Sequence, residues 1–225
     1  VLEPVVVPLE GRREVAAGAL LARAFADDPL ARYLFPRGPQ RASRLRWHYT
    51  ALVRYGRLAG AVDAVESPPA PGGRRGLPEG VAVWHREDDP AVDRAVRLHW
   101  LQRSGLLDAP AVLGAETFGK VVAMVGQLDG HRRLAVPGAH WYLNQVGVHP
   151  ARRGRGTGSA LLRPGLARAA AAGLPCYLET FGAGNLAFYR RLGFEVLVAD
   201  VEPTSGLPFW TCRLQPPSQP VLNRG

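Results

Sequence analysis

Leu143-Asn-Gln-Val-Gly-Val-His-Pro-Ala-Arg-Arg-Gly-Arg-Gly-Thr-Gly-Ser159 is the stretch on which the reading of this chain turns. Its first half belongs to a β segment, His140–His149, whose apolar members are Trp141, Leu143, Val146 and Val148. A glycine-rich turn follows over Arg152–Gly158 and leads into a helix from about Ser159 to Ala172. Gly154, Gly156 and Gly158 remove side chains where a ligand must approach the backbone closely. Their free N–H groups, added to the positive end of the helix dipole, make an anion site. Arg152, Arg153 and Arg155 surround that site with positive charge. A glycine turn beside solvated arginines is the plain structural alternative.

Two other phosphate loops fit this stretch poorly. A nucleotide-binding P-loop ends in Gly-Lys-Ser/Thr, and no lysine is present here. The dinucleotide fingerprint needs a third glycine or alanine three residues after the second, where Ser159 or Leu161 stands. Glu179 does lie at the end of the following strand, where that fold holds its ribose-binding acid, so the dinucleotide reading is the best mimic.

A second motif separates the alternatives. Arg153-x-x-Gly156-x-Gly158 resembles the pyrophosphate-binding signature of the GNAT superfamily of N-acetyltransferases. Asn185-Leu-Ala-Phe-Tyr-Arg-Arg-Leu-Gly-Phe194 resembles that superfamily's other recurrent stretch, and a strand lies between the two. Val81-Ala-Val-Trp84, Ala26-Asp-Asp-Pro29, Leu178-Glu-Thr180 and the helix containing Pro164 resemble the subgroup that includes puromycin N-acetyltransferase. The likeness runs from about Val7 to Arg213 and is weak over Ala91–Ala139.

The resemblance implies a mixed sheet split into a V between two central strands, with acetyl-CoA as acetyl donor and no metal. It implies that the backbone of Val146, Gly147 and Val148 pairs with the pantetheine arm. Backbone donors over Gly154, Arg155, Gly156, Thr157, Gly158 and Ser159 would hold the pyrophosphate, with Arg153 or Arg155 adding charge. Asn185 would contact the pantetheine region. Acyl transfer to an amine needs a neutral nucleophile, an oxyanion donor and a proton for the thiolate. Glu179 is the expected base, Tyr189 the expected proton donor, and the Val148 N–H the expected oxyanion donor. A solvated strand-end charge and a core aromatic are the ordinary structural roles for those two side chains. Asp28, Tyr33 and Trp84 fall in segments where such enzymes build the acceptor site, although each also has an ordinary structural role.

The rest of the chain supplies a scaffold. Val5–Leu9 reads as a strand, Arg13–Ala26 as a helix, and Asp27-Asp28-Pro29 as the start of another, with aspartate oxygens to cap it. Gln40–Leu58 is helical, Ala61–Glu66 and Gly80–His85 are strands, and Ser67–Pro78 between them is an exposed turn. An acidic turn, Glu87–Pro90, follows. Ala91–Leu134 is mainly helical with a break near Ser104–Pro110, and Pro164 should kink its helix. Leu174–Thr180, Phe194–Val201 and Phe209–Leu214 are strands, with a short helix over Asn185–Leu192. The expected fold is a single α/β domain over residues 1–215, with a loose tail over residues 216–225.

With 47% hydrophobic and 21% charged residues the chain matches an ordinary globular protein. The net charge of +9 is nearly all arginine, Lys120 being the only lysine, and permits anionic partners without choosing among them. No nucleic-acid recognition motif accompanies it. No run of about 18 apolar residues suggests a membrane span, and Val1–Glu10 lacks the pattern of a signal peptide. Cys176 and Cys212 fall in strands as expected buried thiols, and a cytoplasmic setting follows. The six histidines show no metal-ligand spacing. The expected activity is transfer of acetyl from acetyl-CoA to a primary amine of a small molecule. Acetylation of a protein N-terminus or lysine and a non-catalytic CoA-binding module are the alternatives. Oligomeric state is open, a homodimer included.

Overall fold

The computed structural model describes residues 4–67, 76–87, 89 and 92–216. The interior of the expected turn over Ser67–Pro78, parts of the acidic turn and most of the tail lie outside the described residues.

The chain opens with strand β1 (Val6–Pro8) and helices α1 (Glu14–Ala24), α2 (Pro29–Leu34) and α3 (Arg41–Ala59). Ala17, Leu20 and Leu21 recur at helical spacing on α1, as do Leu45, Tyr49 and Val53 on α3, and all are buried. Asp28 caps α2: its Oδ1 accepts from Leu30 N at 3.0 Å and Ala31 N at 3.3 Å, and Pro29 fills the first turn.

Strands β2 (Gly60–Glu66) and β3 (Pro78–Glu87) follow, then α4 (Arg94–Ser104), α5 (Ala109–Leu113) and α6 (Ala115–Ala135). The expected break after Ser104 is present, and Gly114, at φ 77°, makes a second one between α5 and α6. Strand β4 (His140–Val148), α7 (Thr157–Ala171), β5 (Cys176–Thr180), α8 (Leu186–Arg191), β6 (Glu195–Val201) and β7 (Pro208–Leu214) follow among the described residues. Helix α7 runs through Pro164 as one element.

The seven strands form one mixed sheet in the order β1-β2-β3-β4-β5-β7-β6. Only β4 and β5 are parallel, and they pair over just two positions, Trp141 with Cys176 and Tyr142 with Tyr177. Beyond Tyr142 the two strands part, and the edge of β4 from Leu143 to Val148 faces the gap. On its other side β4 pairs with β3, where the register steps from Val83–Gln145 to Trp84–Leu143 and leaves Asn144 as a β-bulge.

Two apolar layers sandwich the sheet. Alternation on β3 sends Val81 and Val83 to the layer with α1–α3, α5 and α6, and Ala82 and Trp84 to the layer with α7 and α8. Asp63 on β2, almost fully buried, is held by the Arg168 guanidinium of α7, which also lies 5.7 Å from the Trp141 ring. Cys176 and Cys212 are both buried and unpaired. Burial pushes their thiols up to about 12 and about 11.

Candidate active site

The gap between β4 and β5 opens into a cavity of about 1010 Å³. Four pieces of chain build it: the β4 edge, the loop into α7, the end of β5 with α8, and a wall from α1–α3 and α6.

The backbone of Val146, Gly147 and Val148 lies along the cavity. Gly147 is glycine for packing: a Cβ there would stand 2.7 Å from Leu21 Cδ2 and 3.1 Å from Ala24 Cβ on α1. A bulkier residue would push α1 off the sheet.

The loop into α7 holds two glycines in left-handed backbone, Gly154 at φ 74° and Gly156 at φ 78°. Gly156 is the N-cap, and its carbonyl accepts from Ala160 N at 3.0 Å. The N–H groups of Thr157, Gly158 and Ser159 begin the helix, where no earlier turn supplies acceptors. All three residues line the cavity, as do Arg153 and Gly154. The arginines are less alike than their spacing suggests. Arg152 forms an ion pair with Glu79 at 2.7 Å, and Arg153 donates from Nη2 to the Ala24 carbonyl at 2.9 Å. Arg155 is exposed and stands outside the cavity lining.

Glu179 stands on the floor of the gap, one strand period beyond Tyr177 and on the same face of β5. Burial drives its carboxyl up to about 7. The Tyr142 hydroxyl, the Arg132 guanidinium and the Tyr177 hydroxyl pull the other way but do not offset the burial. Arg132, on α6, places its guanidinium carbon 5.1 Å from the centre of the Tyr142 ring and Nη1 3.7 Å from Glu87 Oε1. Burial favours the neutral form of Glu87, yet His85, Arg132 and Arg97 outweigh it and hold that carboxyl near 2.

Tyr189 on α8 lines the cavity while 7% exposed, packed against Phe188 at 5.2 Å and Phe194 at 5.9 Å. Burial raises its phenol well above the ordinary value, so it keeps its proton at neutral pH. The Asn185 amide donates to Thr180 Oγ1 at 3.0 Å, which ties the start of α8 to the end of β5.

Asp28 reaches the cavity; Tyr33 and Trp84 do not. The Tyr33 hydroxyl donates to the Thr204 carbonyl at 3.5 Å, and Lys120 Nζ lies 5.4 Å from the centre of its ring. Trp84 is fully buried against α7, where a Cβ on Gly165 would stand 2.1 Å from the indole. His149 caps a short turn, accepting from Ala151 N at 3.3 Å. Several residues that act on Glu179 escape sequence reasoning. Tyr177-x-Glu179 could have been found from its period of two, and Tyr142 from its pairing with that strand. Arg132 comes from a distant helix and carries no local signal. Among the described residues no group of three or more His, Cys, Asp or Glu could hold a metal ion, and no helix is long and apolar enough to cross a membrane.

The chain belongs to the acetyltransferase (GNAT) family, whose model matches residues 77–194. It is 32% identical over 218 residues to a mycothiol acetyltransferase of Clavibacter sepedonicus, covering 89% of this chain and 71% of that protein. A shorter match, 42% identical over 80 residues, links it to the mycothiol acetyltransferase of Clavibacter michiganensis. That match spans 34% of this chain and 26% of its relative. A crystal structure described as histone acetyltransferase HPA2 and related acetyltransferase, from Corynebacterium glutamicum, superposes with a TM-score of 0.66 at 26% identity. The superposition covers 98% of this chain and 100% of that one.

Proposed function

We propose that the protein transfers the acetyl group of acetyl-CoA to a primary amine on a small molecule, by direct attack in a ternary complex. The observation that carries this reading is Glu179, a carboxyl tuned to about 7 at the floor of a cleft that also holds the α7 N-terminus and the Tyr189 phenol.

The residues present suit the donor. The N–H groups of Thr157, Gly158 and Ser159, with the positive end of the α7 dipole, hold a pyrophosphate. Arg153 adds charge beside them. The open edge at Val146–Val148 receives the pantetheine arm as an added strand, and Asn185 fixes its far side. Acetyl-CoA supplies the activated thioester.

The chain's own groups then manage protons. An alkyl amine with a pKa near 10.4 costs roughly 4–5 kcal/mol to deprotonate at pH 7. Glu179, close to half ionised at that pH, accepts this proton directly or through one water. The Val148 N–H donates to the developing oxyanion. As the new C–N bond forms and the C–S bond breaks, Tyr189 gives its proton to the departing sulfur, and the second proton shed by the acylated nitrogen restores the Tyr189 phenol through water. No covalent enzyme intermediate is required.

Initial rates of thiol release, with acetyl-CoA and an amine both varied, test the scheme. Intersecting double-reciprocal lines are expected. Parallel lines would exclude direct attack, and acetyl-CoA binding without thiol release would make the chain a non-catalytic CoA-binding module.

A further inference from the structure

We infer that the acceptor is a primary amine carried on a flat, apolar body of aromatic size, an inference that rests on the acetyl-transfer reading above. The cavity extends past the β4 edge between α1–α3 and α6, and this arm has its own chemistry.

One wall is a chain of aromatic rings. Phe25 stacks on Tyr49 at 5.3 Å, Tyr49 meets His48 at 5.3 Å, and His48 meets Phe35 at 5.1 Å. All four line the cavity. Burial holds His48 down near 4, so its ring is neutral at working pH and behaves as one more flat surface. Helix α6 contributes Val121, Met124 and Leu128, spaced to form a single apolar stripe along one face.

Charge is sparse in the same arm. Among the described residues, the acidic ones lining the cavity apart from Glu179 are Asp27 and Asp28. Asp27 is tied to Arg32 at 2.7 Å, and one Asp28 oxygen already caps α2. The second Asp28 oxygen and Glu179 are what remains to hold an ammonium, and a cation placed further along the arm would meet hydrocarbon. A sugar would fare no better. The polar lining residues Asn144, Gln145, Thr157, Ser159, Thr180 and Asn185 belong to the β4–β5 gap and the donor end. Among the described residues, His48 and Tyr49 are the neutral polar side chains that α1–α3 and α6 add, too few to replace the water a sugar's hydroxyls would lose.

The test measures kcat/KM for 2-phenylethylamine, spermidine and glucosamine by thiol release, beside calorimetric affinity for acetyl-CoA. The expected preference for 2-phenylethylamine is at least 100-fold over either competitor. Leu128→Asp should cut that preference tenfold or more while leaving acetyl-CoA affinity unchanged. Val121→Asp, on the same face, serves if the first variant does not fold. Equal or better turnover of spermidine or glucosamine overturns this assignment and leaves acetyl transfer standing. Failure to bind acetyl-CoA, or no thiol release with any of the three amines, overturns both.

Discussion

Arg132 holds its guanidinium 5.1 Å from the centre of the Tyr142 ring, and by that contact α6 reaches the floor of a cleft built from other elements. Both residues favour the ionised form of Glu179. Removing either therefore raises the Glu179 pKa. The acidic limb of kcat/KM, expected near pH 7, should move to higher pH in Arg132→Gln and in Tyr142→Phe. A purely structural role would lower the plateau and leave the midpoint where it was.

Glu179→Gln should remove activity and add stability. General base catalysis contributes about 10²–10⁴-fold, and turnover should fall by that order. The native carboxyl titrates near 7 against 4.5 for the free group. Folding therefore binds a proton between those values, and wild-type stability falls as pH rises through that window. Above pH 7 the native state carries a half-buried charge whose cost, reduced by the water in the cleft, is at most about 3 kcal/mol. Melting temperatures of the two proteins should be similar at pH 4 and separate by several degrees at pH 8, with the variant higher. A constant difference across that range would contradict the burial argument.

Tyr189→Phe keeps the ring that packs on Phe188 and Phe194 and deletes only the hydroxyl. Its expected signature is a fall in kcat of tenfold or more with acetyl-CoA affinity unchanged. A thiol assay paired with calorimetry separates the two quantities, and unchanged kcat would return Tyr189 to the role of a core aromatic.

Gly156→Val tests the loop. A Cβ at Gly156 meets open space, so the penalty is conformational and comes from φ 78°. A β-branched residue held there costs at least about 1–2 kcal/mol, and relief of that strain turns the first N–H groups of α7 away from the pyrophosphate. Acetyl-CoA affinity should drop tenfold or more. Unaltered affinity in a folded variant would remove the loop from the donor site.

Gly165→Ala acts elsewhere. The added Cβ collides with the Trp84 indole and should destabilise the protein by about 1–3 kcal/mol in denaturant unfolding. Activity per folded molecule should survive, because this contact belongs to the core on the far side of the sheet.

What was legible in the sequence divides along lines of locality. The loop over Gly154–Gly158 and the strand before it were readable because a left-handed turn needs glycine and a pleat repeats every two residues. Asp28 announced its cap, since carboxylate, proline and helix lie together in the chain. Trp84 was misleading, because an aromatic residue near a strand end looks alike whether it faces a cleft or a core. Its partner, Gly165, is 81 positions away. Arg132 and the ring chain Phe25–Tyr49–His48–Phe35 were invisible for the same reason. Helix α6 adds a further obstacle, for Val122 and Leu134 lie exposed on the same helix as the residues that face the cavity and blur its pattern.

The bulge at Asn144 has a consequence for how β4 tolerates change. Before it, odd-numbered Trp141 and Leu143 join the layer under α7; after it, even-numbered Val146 and Val148 do, while Gly147 turns toward α1. One inserted residue thus gives the strand two reading frames. The frame that anchors the sheet and the frame that offers its backbone to the cleft are set separately, so side chains in one can be exchanged without rephasing the other.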